Sequence, residues 1–217
     1  MSIAENIQSI KDVLPENVTL VAVSKTKPIS DLMAAYEAGQ RIFGENKIQE
    51  MTEKWETMPK DIQWHMIGHV QTNKVKFMAE YVSLIHGVDS LKLLQEINKQ
   101  AQKNNRIIDC LLQIHIAEEE TKFGLDEAEL DEILDFLKNN QESMKNIRVL
   151  GLMGMATFTD NQNQIKKEFT HLKSIFDTTK NLQTLSMGMS GDYKIAIECG
   201  STMIRVGSSI FGNRNNQ

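Results

Sequence analysis

The stretch LVAVSKTKPISDLMAAYEAG, residues 20–39, holds one complete strand-to-helix unit. Leu20–Ser24 has strand composition and runs directly into Lys25, and Pro28, which has no N–H for a ladder, stops the strand. Ser30 then opens an apolar periodicity (Leu32, Met33, Tyr36), and Gly39 stands where a helix C-cap belongs. Successive side chains of a strand point to opposite faces, so Lys25 shares a face with Val21 and Val23. An ammonium at the top of an apolar strand has two readings. Either its head lies in solvent, or it is partly desolvated. Desolvation lowers a lysine pKa, and the neutral amine forms Schiff bases with carbonyl compounds.

The same unit repeats along the chain. A short amphipathic helix over Ile3–Val13 precedes the first strand. Further strands are expected at Arg41–Asn46, Ile62–Gly68, Tyr81–Val88, Ile107–Ile116, Arg148–Ala156, Thr184–Met189 and Met203–Phe211. Between them fall helices at Lys47–Glu56, Thr72–Glu80, Ser90–Lys103, from Asp126 onward, at Gln162–Thr178 and at Tyr193–Glu198. Eight such units in 217 residues predict an α/β fold, a closed (β/α)₈ TIM-like barrel with a short N-terminal helix. An open doubly wound sheet is the alternative. Prolines occur only at 15, 28 and 59, and no Gly/Ser-rich or low-complexity stretch divides the chain. The expectation is therefore one domain, 1–217, with its core at about 19–212. Barrel active sites lie at the C-terminal strand ends. Lys25 is at such an end.

Composition excludes several classes. A net charge of −5 without any basic run argues against a nucleic-acid partner, and no apolar run is long enough to span a bilayer. Met1–Asp12 lacks the charged start and apolar run of a signal peptide, so a cytoplasmic location is expected. Cys110 and Cys199 stand far apart and outside any CxxC pattern, which suits reduced thiols and not a zinc site. The histidines at 65, 69, 86 and 115 have no metal-ligand spacing and read as hydrogen-bonded core or rim residues. Glu118–Glu120 reads as a solvated loop.

Two glycine-rich stretches close the chain. GMSGD (188–192) lies between the seventh strand and its helix, and RVGSSIFG (205–212) carries Gly207, Ser208 and Ser209. Glycines here can simply make turns. Barrels also bind phosphate in the loops after strands seven and eight, where backbone N–H groups approach an anion closely. Arg205 shares a face with Met203 and Gly207, and a guanidinium inside a barrel needs an acceptor. A lysine, a phosphate grip and a buried arginine on one rim suggest pyridoxal 5'-phosphate (PLP). The lysine would take the aldehyde, the loops the phosphate, and Arg205 the ring nitrogen. Asn46, at the end of the second strand, would either contact the cofactor or cap the next helix.

At these residues the chain resembles the pyridoxal phosphate homeostasis proteins, relatives of the barrel of alanine racemase. The resemblance rests on AVSKTKP (22–28), FGEN (43–46), QWHMIG (63–68), QTNK (71–74), KFG (122–124), GLM (151–153), SMGMSGD (186–192) and GSTMIRVGSSIFG (200–212). It implies a PLP-carrying barrel with Lys25 as the Schiff-base residue and Arg205 near the pyridine nitrogen. It further implies Ser190, Gly207 and Ser208 at the phosphate, and Asn46 in the site. His69 and Val70 stand at loosely kept positions.

The racemase adds a β-rich domain whose tyrosine supplies an opposing base, and no such domain is expected after Gln217. An arginine beside the ring nitrogen also disfavours the pyridinium form. Both points favour a protein that holds and delivers PLP over an enzyme. The partners to expect are PLP and apo PLP-dependent enzymes, with a monomer as the expected state. A racemase-like enzyme is the alternative, and a barrel aldolase using Lys25 on a sugar phosphate is a third reading.

Overall fold

The computed structural model describes residues 1–119 and 123–212. Eight parallel strands close into a barrel in chain order: β1 Thr19–Val23, β2 Ile42–Glu45, β3 Gln63–Met66, β4 Leu84–Val88, β5 Ile108–Gln113, β6 Ile147–Met153, β7 Thr184–Met189 and β8 Met203–Val206. The helices are α1 Ile3–Lys11, α2 Ile29–Glu37, α3 Ile48–Thr57, α4 Leu91–Lys103, α5 Glu127–Asn139, α6 Gln162–Thr178, α7 Tyr193–Glu198 and α8 Ser208–Phe211. A 3₁₀ turn, Thr72–Phe77, fills the place of a helix after β3.

Strand periodicity sorts the core into two layers. Ala22, Phe43, Trp64, Ile85, Leu112, Leu152, Leu185 and Ile204 point outward beneath the helices. Val21, Leu84, Leu111, Met153 and Met203 meet inside the barrel. Fully burying a side chain of this size stabilises by about 1.5–3 kcal/mol, so the outer layer carries most of the fold. Gly151 marks the tightest strand contact, since a Cβ there would sit 1.7 Å from the Thr184 carbonyl oxygen of β7.

Helices α1, α4, α5 and α6 start where a short polar side chain accepts an orphan amide. Ser90 caps α4, and Asp126 forms a reciprocal capping box with Glu129 on α5. Among the described residues no helix is long and apolar enough to cross a membrane.

Three expectations need correction. The eighth strand ends at Val206 instead of Phe211, because the chain turns at Gly207 into α8, whose Ile210 and Phe211 are buried. Apolar residues there pack under α1, with Asn6 Nδ2 donating to the Ile210 carbonyl at 2.9 Å, and so mimic a strand in composition. Helix α2 begins at Ile29 with Pro28, not Ser30, at its N-cap. The Thr72–Glu80 helix is the shorter 3₁₀ turn.

Candidate functional site

Lys25 follows β1 on the face set by Val21 and Val23, as strand parity dictates. Val21 pairs laterally with Arg205 of β8, which brings these two cations to the same sector of the barrel. Both line a cavity of ≈ 920 Å³ at the C-terminal mouth, and Asn46, Ser190, Gly207 and Ser208 line it as well. The six candidate residues read from sequence thus converge on one space. Lys25 is half-buried and Arg205 fully buried.

The rim after β7 and β8 is held by a hydrogen bond between its two loops. Gly207 N–H donates to Ser190 Oγ at 3.1 Å. Asp192 fixes the first loop by accepting the Met189 N–H at 2.6 Å. Burial raises the Asp192 carboxyl, while that N–H and the Arg205 charge oppose the rise. The first amides of α8 have no intrahelical acceptor, and Gly207 and Ser208 at its start line the mouth. Asn46 does not cap α3, whose N-cap is Lys47. Its backbone instead packs against Gly68, where a Cβ would come within 2.5 Å of the Asn46 carbonyl oxygen.

Arg205 is anchored from below. One guanidinium nitrogen donates to Ser186 Oγ, and the other donates to the Gly154 carbonyl at 3.1 Å. Ser186 Oγ lies 2.9 Å from His86 Nδ1, and His86 Nε2 lies 3.0 Å from His65 Nδ1. Ser186 Oγ accepts from Arg205 and is linked through His86 to His65, the donor in each of the two ring contacts being set by the imidazole tautomers. Burial holds both imidazoles neutral: it lowers His65 to about 3 and His86 well below the usual range, the latter helped by His65 and Arg205. Burial also draws Arg205 down to about 10, with Asp192 opposing, so the guanidinium stays charged at neutral pH.

This relay is the part that sequence reasoning missed. His65 and His86 are hydrogen-bonded core residues, as expected, but Ser186 was not singled out and the link to Arg205 was unseen. Strand parity was the available signal, because Ser186 alternates with outward-facing Leu185 and Met187. His69 stands at the rim, with Nδ1 3.2 Å from Asp89 Oδ2 and its ring stacked on Phe123. His115 Nε2 lies 3.2 Å from the Glu119 carbonyl oxygen. The Glu118 side chain is exposed, in keeping with a solvated loop. Glu120 and Lys122 of the KFG motif lie outside the described residues.

Comparison with known proteins now places the chain. The alanine racemase N-terminal domain family matches residues 1–215. A pyridoxal phosphate homeostasis protein of Haemophilus influenzae is 39% identical over 207 residues, which are 91% of this chain and 86% of that one. The chain belongs to this family. A second pyridoxal phosphate homeostasis protein, from Synechocystis, is 40% identical over 93% of this chain and 94% of its own length. Among solved structures, PipY of Synechococcus elongatus with PLP bound superposes with a TM-score of 0.87 at 33% identity, covering 97% of this chain and all of PipY. This chain and PipY therefore share the barrel fold.

Proposed function

We propose that the chain holds PLP as a Schiff base on Lys25 and gives it up again, serving PLP homeostasis and delivery without substantial amino-acid turnover. One observation carries this reading: Lys25, the anchored Arg205 and the Ser190–Gly207–Ser208 rim line the same cavity. When bound, PLP supplies an aldehyde that condenses reversibly with a primary amine. The donor set suits it. Lys25 offers the amine, and the rim offers two hydroxyls and helix-start amides to a phosphate. Arg205 can donate but never accept, so it suits a pyridine nitrogen that carries no proton. The names of the relatives and the PLP in PipY support the same ligand.

Borohydride reduction after mixing with PLP, followed by peptide mapping, tests the assignment. A single adduct on Lys25 is expected, absent in Lys25→Ala, whose fold should survive because a half-buried lysine head leaves no core cavity. A full-stoichiometry reducible adduct in Lys25→Ala would overturn it. The family also contains racemase barrels, so an enzyme is the second reading.

A further inference from the structure

Both peptide groups that flank Lys25 are gripped by one ion pair from α3. Lys54 Nζ donates to the Ser24 carbonyl at 2.8 Å, and Glu50 Oε1 accepts the Thr26 N–H at 2.6 Å. Lys54 and Glu50, one helical turn apart, pair at 2.7 Å. The remaining Lys54 proton goes to Glu45 Oε1 at 2.7 Å, an oxygen that also accepts the Ser24 hydroxyl at 2.6 Å. An ammonium has three donors, and all three are used here.

Stability is a poor account of this cluster. Lys54 and Glu45 are buried, and burying an ion pair costs desolvation that an apolar pair of equal volume avoids. Burial raises the Glu45 carboxyl, with Lys54 opposing, and Glu45 Oε2 finds no partner among the described residues. The backbone suggests what the cluster does instead. Thr26 has φ +62°, in the left-handed region that a β-branched residue strongly avoids. Such a conformation persists only where its surroundings impose it. The Glu50 carboxylate on the Thr26 amide and the Lys27 N–H on the Ser24 carbonyl, at 3.0 Å, impose it here.

We propose that Lys54 and Glu50 are positioning residues for Lys25. They fix the peptide planes on either side of its Cα, and with them the direction in which the Cα–Cβ bond leaves the backbone at the cavity. The inference rests on the proposed role of Lys25 for what the aimed amine then does.

The test uses the full chain with Glu50→Ala, Lys54→Met and Glu50→Gln, and with Thr26→Gly alone and combined with Glu50→Ala. Three readouts are taken: exchange of the Thr26 amide in PLP-free protein, the rate of borohydride-fixable adduct formation on Lys25, and the thermal midpoint. In Glu50→Ala the amide should exchange at least tenfold faster and the adduct form at least tenfold more slowly, with the midpoint little changed. Glu50→Gln, which keeps an acceptor oxygen, should restore part of both. Thr26→Gly should rescue part of the Glu50→Ala adduct rate, because glycine enters the left-handed region without a Cβ clash. A merely structural anchor would not respond to that glycine.

Wild-type exchange and adduct rates in Glu50→Ala would overturn the proposal. So would a rate that falls only in step with the midpoint and is not rescued by Thr26→Gly. Should Lys54→Met fail to fold, the Glu50 position, less buried than Lys54, still decides. A wild-type protein that forms no Lys25 adduct would instead overturn the PLP reading, while Thr26 exchange still reports on the clamp.

Discussion

Burial keeps His65 and His86 neutral beneath the charged Arg205, because the imidazolium form would lose its hydration there. That has a consequence for pH. His65 sits at about 3 in the fold against an ordinary 6.5, so between those values the unfolded chain binds a proton that the fold does not. Its stability contribution is complete above pH 6.5 and is lost as pH falls towards 3. The slope is about 1.4 kcal/mol per pH unit, or roughly 2 kcal/mol between pH 6.5 and 5 from this one ring. His86 adds in the same direction. Denaturant midpoints measured against pH for wild type and His65→Gln should diverge by that slope, the wild type being steeper. An imidazole titration of His65 near 6.5, seen by NMR, would contradict the burial argument. Lys25 and Arg205 were legible one residue at a time, because strand parity alone puts both inside the barrel. The relay was not, since His65, His86, Ser186 and Arg205 come from β3, β4, β7 and β8 and meet only when the barrel closes. Lys54 hid for a different reason. It follows Ile48 and Met51 at three-residue steps on the buried face of α3, but its partners Ser24 and Glu45 come from β1 and β2 and meet it only in the fold.

Each strand contributes its C-terminal end to the mouth, and among the described residues lining the cavity the ends after β7 and β8 bring no side-chain cation apart from Arg205 deeper down. The proposed grip on a phosphate would therefore rest on Ser190, Ser208 and backbone amides. A charge-assisted hydrogen bond contributes about 1.5–3 kcal/mol. Two such bonds should make PLP bind at least ~100-fold more tightly than pyridoxal, which carries the same aldehyde and no anion. Equilibrium titration by absorbance compares the two directly, and equal affinities would show that these loops grip no phosphate. At this scale the sequence was most informative about alternation and least about ends. Helices α6 and α7 and strand β7 coincide with their expected bounds. Strands β3, β5, β6 and β8 stop short of their expected ends because apolar composition continues past the last ladder bond: Ile114 and Ile116 are buried beyond Gln113, where β5 ends. Composition records burial, and burial outlasts hydrogen-bond pairing wherever a loop covers the core.

For the whole barrel the open question is whether the bound group is handed on or put to work on amino acids. Turnover by racemisation needs a base on each face of the bound substrate, and on the proposed reading Lys25 would serve one face. The other titratable groups among the described residues lining the cavity are Lys27, His69, Asp160, Asp192 and Arg205. Lys27 donates to the carbonyls of Phe211 and Gly212, Asp192 holds the Met189 amide, and Arg205 stays protonated. His69 is turned towards Asp89 and stacked on Phe123. Asp160 lies on the β6–α6 loop beside Phe158, which is almost wholly exposed. A misplaced or missing base typically costs 10²–10⁴-fold in rate, so trace activity is compatible with a carrier. Release needs only that water or another amine reach Lys25, and a half-buried amine in an open mouth allows both. PLP-loaded protein mixed with an apo PLP enzyme should therefore restore that enzyme's activity, and Lys25→Ala protein should not. In the same preparation alanine racemase, transaminase and decarboxylase turnover should be negligible. Rates in the ordinary enzymatic range of ~1–10³ s⁻¹, abolished by Lys25→Ala, would instead make this barrel an enzyme.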